Sequence, residues 1–265
     1  MISEKHPIFQ KVIGFPVTAL PFDDQIALLL EWAKSSVSKV VCIANVHMLI
    51  EAHRNPDFAC VLKGADLVTP DGMPLVWMLK LMGSPKQNRI AGMDVLLALC
   101  KLASPQGISV FFLGSQDTIL ARMKVRLERE FPNLKIAGME PLPFRPLTPT
   151  EDEAIIQRLN DSGAGLVMVS LGCPKQELWM AQHKDKVQAV MIGLGGAFPV
   201  YAGIHKRAPQ IIRALGLEWL FRLAQEPRRL WGRYSSTIPI FIWLACKQLF
   251  TSRPGTPTQK VQELQ

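Results

Sequence analysis

Residues 67–73, Leu-Val-Thr-Pro-Asp-Gly-Met, place a carboxylate on a turn. The apolar residues Ala65, Leu67 and Val68 lead in, and Pro70 ends a strand because it has no N–H to give to a ladder. Gly72 permits a tight turn, and Pro74 suits the start of a following helix. Asp71 is therefore expected at the carboxyl end of a strand, where open α/β sheets collect their ligands. A carboxylate there can take a proton from a hydroxyl nucleophile. Pro-Asp-Gly by itself is also an ordinary turn, so Asp71 gains meaning only from its neighbours.

Residues 172–177, Gly-Cys-Pro-Lys-Gln-Glu, read as a strand end followed by a helix start. Gly172 relaxes the backbone, and Pro174 is expected at the first helical position. The N–H groups of Lys175, Gln176 and Glu177 would then be free, and with the Lys175 charge they would make an anion site. Gln176 is placed to hydrogen-bond a sugar or a phosphate. Gly193–Gly196 is a second glycine-rich strand end, equally readable as a close-packed turn. Asn45 and Gly114-Ser115 close two further strands. Arg89 has the fork geometry that suits phosphate, although its local sequence reads as readily as a surface charge. The histidines and cysteines form no metal set, and His47 reads as a helix-start residue.

The elements that must position these residues follow from the apolar pattern. The chain has 265 residues, 48% of them hydrophobic, enough for one large core with or without an appendage. Buried parallel strands are expected at 39–46, 108–113, 166–171 and 189–194, where the residues are almost uniformly apolar. A short strand is expected at 135–138, and strand candidates in the lead-in are 12–15 and 17–20. Helices are expected from Asp23 or Asp24 to 35, at 48–53, from Asn55 to 62, and at 74–81, 94–102, 117–131 and 175–182. One more begins at Thr150. Strands alternating with helices predict an α/β sandwich with a mainly parallel sheet. All five polar turns then lie on one edge. Beyond Gly203 the helices no longer alternate with strands. The expected organisation is a Rossmann-like core over 1–203, a helical appendage over 204–250 and a disordered tail over 251–265.

Charge and cysteine content narrow the function classes. Thirty Lys and Arg face 22 Asp and Glu, which points to an anionic partner. Between 206 and 233 lie Lys206, Arg207, Arg213, Arg222, Arg228, Arg229 and Arg233, against Glu218 and Glu226. They are interleaved with Leu and Trp, which suits a lipid interface better than a groove tracking nucleic acid. Residues 238–250 are the stretch expected to meet a membrane or a second subunit, and for 217–223 packing on the core is at least as good a reading. The five scattered cysteines suggest a reduced, intracellular protein. The N-terminus lacks a signal-peptide core, and the longest apolar stretch falls far short of the roughly 20 residues that span a bilayer.

In order along the chain, several blocks resemble one family. They are Asn45; Ala65-Asp66-Leu67-Val68 with Pro70-Asp71-Gly72; Arg89-Ile90-Ala91-Gly92-Met93-Asp94; Phe111-Phe112-Leu113-Gly114; Gly172–Glu177; Gly195-Gly196-Ala197-Phe198; Ala202-Gly203 with Lys206-Arg207-Ala208-Pro209; Gly216-Leu217-Glu218-Trp219-Leu220-Phe221-Arg222-Leu223; and Glu226-Pro227-Arg228-Arg229. This pattern, over about residues 10–245, resembles the WecG/TagA/CpsF-type glycosyltransferases (glycosyltransferase family 26). The resemblance implies a Rossmann-like fold and inverting transfer of an N-acetylmannosamine-type sugar from a UDP donor. It implies a polyprenyl-diphosphate-linked N-acetylglucosamine acceptor, no metal or other cofactor, and work on the inner face of the plasma membrane.

By the same resemblance Asp71 is the base, with Asn45, Gln176 and Arg89 beside it in the catalytic set. Gly114, Gly172, Pro174, Lys175, Glu177, Gly193, Gly195 and Gly196 would meet the donor. Lys206, Arg207, Arg222, Arg229 and Arg233 would meet the acceptor and the diphosphate. The expected partners are the UDP-sugar, the lipid-linked acceptor and an anionic membrane surface, with no nucleic acid and a homo-oligomer left open. Two positions depart from the family pattern: Ile43 stands where Thr is common, and Pro199 where Asp is common, which puts donor or acceptor identity in doubt. Two alternatives remain from the residues alone. One is an NAD(P)-dependent oxidoreductase, against which no Gly-x-Gly-x-x-Gly with a following acid is found. The other is a non-catalytic anion- or lipid-binding module.

Overall fold

The computed structural model describes residues 8–143 and 145–251. The expected tail therefore lies outside the described residues from 252 onward. The chain forms a six-stranded parallel sheet in the order β4-β3-β8-β7-β5-β6, with a separate two-stranded hairpin. The strands are β3 (Lys39–Ala44), β4 (Leu67–Pro70), β5 (Val110–Gly114), β6 (Ile136–Glu140), β7 (Leu166–Ser170) and β8 (Val190–Gly193). The expected α/β class and parallel sheet are thus present.

Alternate residues of each strand serve opposite layers, as the period of two requires. In β3, Val40, Cys42 and Ala44 face one core, and Val41 and Ile43 face the other. The first core is covered by α2 (Val46–Arg54), α3 (Pro56–Gly64), α4 (Met73–Leu81), α7 (Pro149–Asp161) and α8 (Lys175–Gln182). The second lies under α1 (Phe22–Lys34), α5 (Gly92–Ala103), α6 (Asp117–Glu130) and α9 (Ala197–Tyr201).

Several boundaries differ from the sequence expectation. The hairpin strands are β1 (Phe9–Val12) and β2 (Phe15–Thr18), not 12–15 and 17–20, because Ile13 and Gly14 both take positive φ and form the turn between them. Neither Asp23 nor Asp24 caps α1; Pro21 holds that position, and both acids sit in the first turn. Thr148 rather than Thr150 caps α7, in a reciprocal bond pattern with Glu151, and Pro149 takes the first helical position. Asn45 caps α2 directly, so β3 passes into helix without a loop.

The C-terminal segment is α10 (Gln210–Ala214), α11 (Glu218–Gln225) and α12 (Pro227–Thr251). Its two long helices behave differently. No residue of α11 is fully buried: Glu218, Phe221, Arg222 and Leu223 are half-buried while Leu217, Trp219 and Leu220 stay exposed, so 217–223 packs through one side only. On α12, Leu230, Thr237, Phe241 and Ala245 are buried, and Phe241 and Ala245 join the first core. The opposite side of α12 leaves Trp231, Ile242, Trp243 and Phe250 exposed. The α12 end is also tied to the hairpin, where the Gln248 side chain accepts from Ile13 N–H at 2.6 Å and donates to the Lys11 carbonyl. Among the described residues, no helix is long and apolar enough to cross a membrane.

Candidate active site

Because all six strands run parallel, their carboxyl ends share one edge. Asp71 follows β4 there, and its N–H donates to the Ala44 carbonyl at 2.8 Å, beside Asn45, which follows β3. The Asn45 side chain accepts from Met48 N–H, which holds its amide at the start of α2. The Arg89 loop is fixed next door by Ile90 N–H donating to the Pro70 carbonyl at 2.9 Å. That bond delivers the Arg89 guanidinium to Asp71, with Nε 3.8 Å from Oδ1.

Arg89 is therefore no free surface charge. Its side chain is 14% exposed and its Nη2 donates to Glu218 Oε2 at 2.6 Å. Glu218 opens α11, and one turn later Arg222 lies with Nε 3.6 Å from Glu218 Oε1. The appendage thus contributes an acid and a base to a four-membered chain of charges, Asp71–Arg89–Glu218–Arg222. Gly216, at φ 74°, lets the appendage come close to the strand-end turn: a Cβ there would lie 2.8 Å from Met73 Cγ.

Burial pushes the Asp71 carboxyl up to about 6, and Glu218 and Asp94 add to the rise. Arg89 and Arg222 oppose it. The net result is a carboxylate that is ionised at neutral pH yet far more basic than an exposed one, which suits proton abstraction.

The sheet edge continues past β8 into a cavity of about 400 Å³. Ser115 supplies one wall from β5, Ser170 to Gly172 another from β7, and Gly195 and Gly196 a third from β8. Lys206, Arg222 and Arg229 close it from the appendage. Arg222 joins both halves: it acts on Asp71, and a Cβ on Gly196 would come 3.7 Å from its Nη2. Arg229 is paired with Glu226 at the rim. The size suits a small-molecule site, and its cationic wall suits an anion.

The remaining expected residues fall into three groups. Gly114 sits where backbone crosses backbone, a Cβ there lying 2.6 Å from the Ser170 carbonyl, and Gly193 sits against the Gln176 and Met180 side chains. Arg207 pairs instead with Asp94 at the start of α5, and Arg233 lies toward His47 and Cys173. The His47 ring falls to about 4, through burial first and then the charges of Arg233 and Arg54.

The helix start at 172–177 is built differently from the expectation. Pro174 is the capping residue rather than the first helical one. The Gln176 N–H is taken by the Gly172 carbonyl at 3.0 Å, so the row of three free N–H groups is broken. Lys175 is exposed, whereas Gln176 and Glu177 are 4% and 0% exposed and lie beneath the turns.

Sequence reasoning passed over two residues of this site. Glu218 was visible as an acid four residues before Arg222, a spacing that pairs charges on a helix. Tyr234 carries no sequence signal beyond its neighbour Arg233. On α12 it stands edge-on to Trp219, and burial raises its phenol while the charges of Arg222, Arg233 and Arg229 oppose the rise. Among the described residues no group of three or more His, Cys, Asp or Glu could hold a metal ion.

Comparison with known proteins returns one family. A curated protein of Bacillus spizizenii (strain ATCC 23059 / NRRL B-14472 / W23) is 35% identical over 224 residues, covering 84% of each chain. It is named an N-acetylglucosaminyldiphosphoundecaprenol N-acetyl-beta-D-mannosaminyltransferase. The sequence profile of the glycosyl transferase WecG/TagA/CpsF family matches residues 10–255. This chain belongs to the WecG/TagA/CpsF family of glycosyltransferases.

Proposed function

We propose that this chain transfers an N-acetylmannosamine-type sugar from a UDP donor to a polyprenyl-diphosphate-linked N-acetylglucosamine, with inversion at the anomeric carbon. It does so at the cytoplasmic face of the plasma membrane, without a metal. The activity for which the Bacillus spizizenii relative is named supports the sugar and the acceptor. The observation that carries the reading is Arg222, which ends the chain of charges that runs from Asp71 through Arg89 and Glu218 and also lines the cavity.

In this mechanism the diphosphate lies in the cavity against Arg222, Arg229 and Lys206. The acceptor hydroxyl lies at Asp71. The Asp71 carboxylate takes the hydroxyl proton as the acceptor oxygen bonds to the anomeric carbon. The bond from that carbon to the diphosphate oxygen breaks, and its electron pair leaves with UDP. Fixed cations at that oxygen favour the transition state because they need no reorganisation as charge builds. Asn45 stands beside Asp71 to orient a sugar hydroxyl. Pro199 lines the cavity, so the residue that departs from the family pattern faces the donor side.

The test is turnover by purified protein with a panel of UDP-sugars and a lipid-diphosphate N-acetylglucosamine analogue, with and without EDTA. UDP release and an anomeric proton spectrum of inverted configuration are expected, unchanged by EDTA. Consumption of no UDP-sugar, or a retained configuration, refutes the reading.

A further inference from the structure

Glu177 is a buried acid for which the mechanism above has no use. It lies on the first turn of α8 with none of its surface exposed. Its Oε1 accepts from Gln176 Nε2 at 2.7 Å, while its Oε2 is buried with no nitrogen or oxygen donor to accept from. No arginine or lysine pairs with it among the described residues. Burial pushes the carboxyl up to about 7, and hydrogen bonds from Gln176, from its own backbone N–H and from the Cys173 thiol only partly offset this. An ionised carboxylate in such a place would lack any counter-charge, whereas the neutral acid has no charge to compensate.

What Glu177 holds is Gln176. The Gln176 Oε1 accepts the Gly172 N–H at 3.2 Å, so one end of its amide fixes the turn after β7. The other turn, after β8, is packed on the same amide. A Cβ on Gly193 would sit 2.7 Å from Gln176 Nε2, and one on Gly195 would sit 3.0 Å from Oε1. An amide can make both contacts only in one orientation, with its oxygen toward Gly172. The acceptor at Glu177 selects that orientation, because it takes the nitrogen end. Gly172 and Gly195 are both in the wall of the cavity.

We propose that Glu177 is a positioning residue whose carboxyl orients the Gln176 amide, and that this amide clamps the two turns forming the donor side of the cavity. Its link to turnover rests on the nucleotide-sugar reading above; the clamp itself does not. This differs from the sequence expectation, in which Glu177 touches the donor.

Native-state amide exchange of the free protein tests the clamp with no substrate present. In Glu177→Leu the Gly172 amide is expected to exchange at least about tenfold faster, because Gln176 loses the partner that orients it. In Glu177→Gln a carboxamide keeps a neutral acceptor oxygen, and exchange stays within about twofold of wild type. Where Glu177→Leu yields no folded protein, Gly193→Ala displaces the same amide, since its Cβ would meet Gln176 Nε2 at 2.7 Å, and the same acceleration is expected. An unchanged Gly172 rate in the folded clamp variant overturns the proposal, as does a Glu177→Gln protein as labile as Glu177→Leu. In turnover, Glu177→Leu should raise the donor KM about tenfold with kcat held within about twofold, and Glu177→Gln should restore it. A wild-type protein that consumes no UDP-sugar sinks the nucleotide-sugar reading and leaves the exchange result to stand alone.

Discussion

Replacing Asp71 by Asn should make the protein inactive and more stable at once. The carboxyl is raised from 3.8 to about 6, roughly two units. At about 1.4 kcal/mol per unit, the ionised form costs the fold about 3 kcal/mol relative to the neutral one. The sign follows from proton binding. Between the two values the native state holds more proton than the unfolded chain, so stability falls as pH rises through that window. The penalty is complete above about pH 6 and absent well below 3.8. Asn copies the neutral form and escapes it. The gain should be near 3 kcal/mol at pH 8 and shrink to about a third of that at pH 4.5. With 2–4 °C per kcal/mol for a chain of this size, the melting temperature at pH 8 should rise by roughly 6–12 °C. The side chain is 27% exposed, so solvent trims the figure toward its lower end. Calorimetric unfolding at both pH values, paired with UDP release, is the assay. Turnover should drop by about a thousandfold, within the range for losing a general base. A variant less stable than wild type at pH 8, or equally stabilised at both pH values, would falsify the claim that burial of a charge raises this group.

Other outcomes follow from the same geometry. The acid limb of wild-type kcat/KM should lie near pH 6, and removing the Arg89 charge in Arg89→Gln should move it upward by about one unit; an unmoved limb separates Arg89 from Asp71. Arg222→Leu should lower kcat about a hundredfold, as loss of one fixed charge at the leaving group does, and a kcat near wild type would detach the appendage from the chemistry. Gly114→Ala should destabilise by more than about 2 kcal/mol in urea unfolding, since the residue has φ 89° and its Cβ would meet the Ser170 carbonyl at 2.6 Å. Full-length protein should float with anionic vesicles. A variant with Trp231, Ile242, Trp243 and Phe250 changed to Ser should stay in the aqueous fraction, and equal flotation of the two would show that the exposed side of α12 is not what meets lipid.

Much of the frame was legible because it depends on local patterns. Uniformly apolar runs marked β3, β5, β7 and β8, and Asn55 before Pro56 marked the start of α3 with its cap on Asp57 and Phe58. Capping elsewhere was harder to place, since Thr148 and Thr150 flank Pro149 and either could serve until the Glu151 side chain chose between them. The 217–223 stretch, which packs through one side only, was ambiguous for a different reason. Its apolar residues at helical spacing are the same signal whether a helix packs on a core or stands exposed beside a site.

The sequence alone determined that polar turns would follow several parallel strands, and so that Asp71 and the glycine-rich turns would share an edge. That conclusion needs only period-two and strand-end chemistry. The tertiary structure alone decided which charges meet there. Glu218 and Arg222 lie more than a hundred residues from Asp71 along the chain, and it is the appendage folding back that sets them beside Arg89. It also turned Gln176 and Glu177 inward. A helix start gives the sequence reader backbone donors, but whether its side chains face solvent or the neighbouring strand depends on how close β8 packs. Here Gly193 and Gly195 let it pack close enough to enclose them.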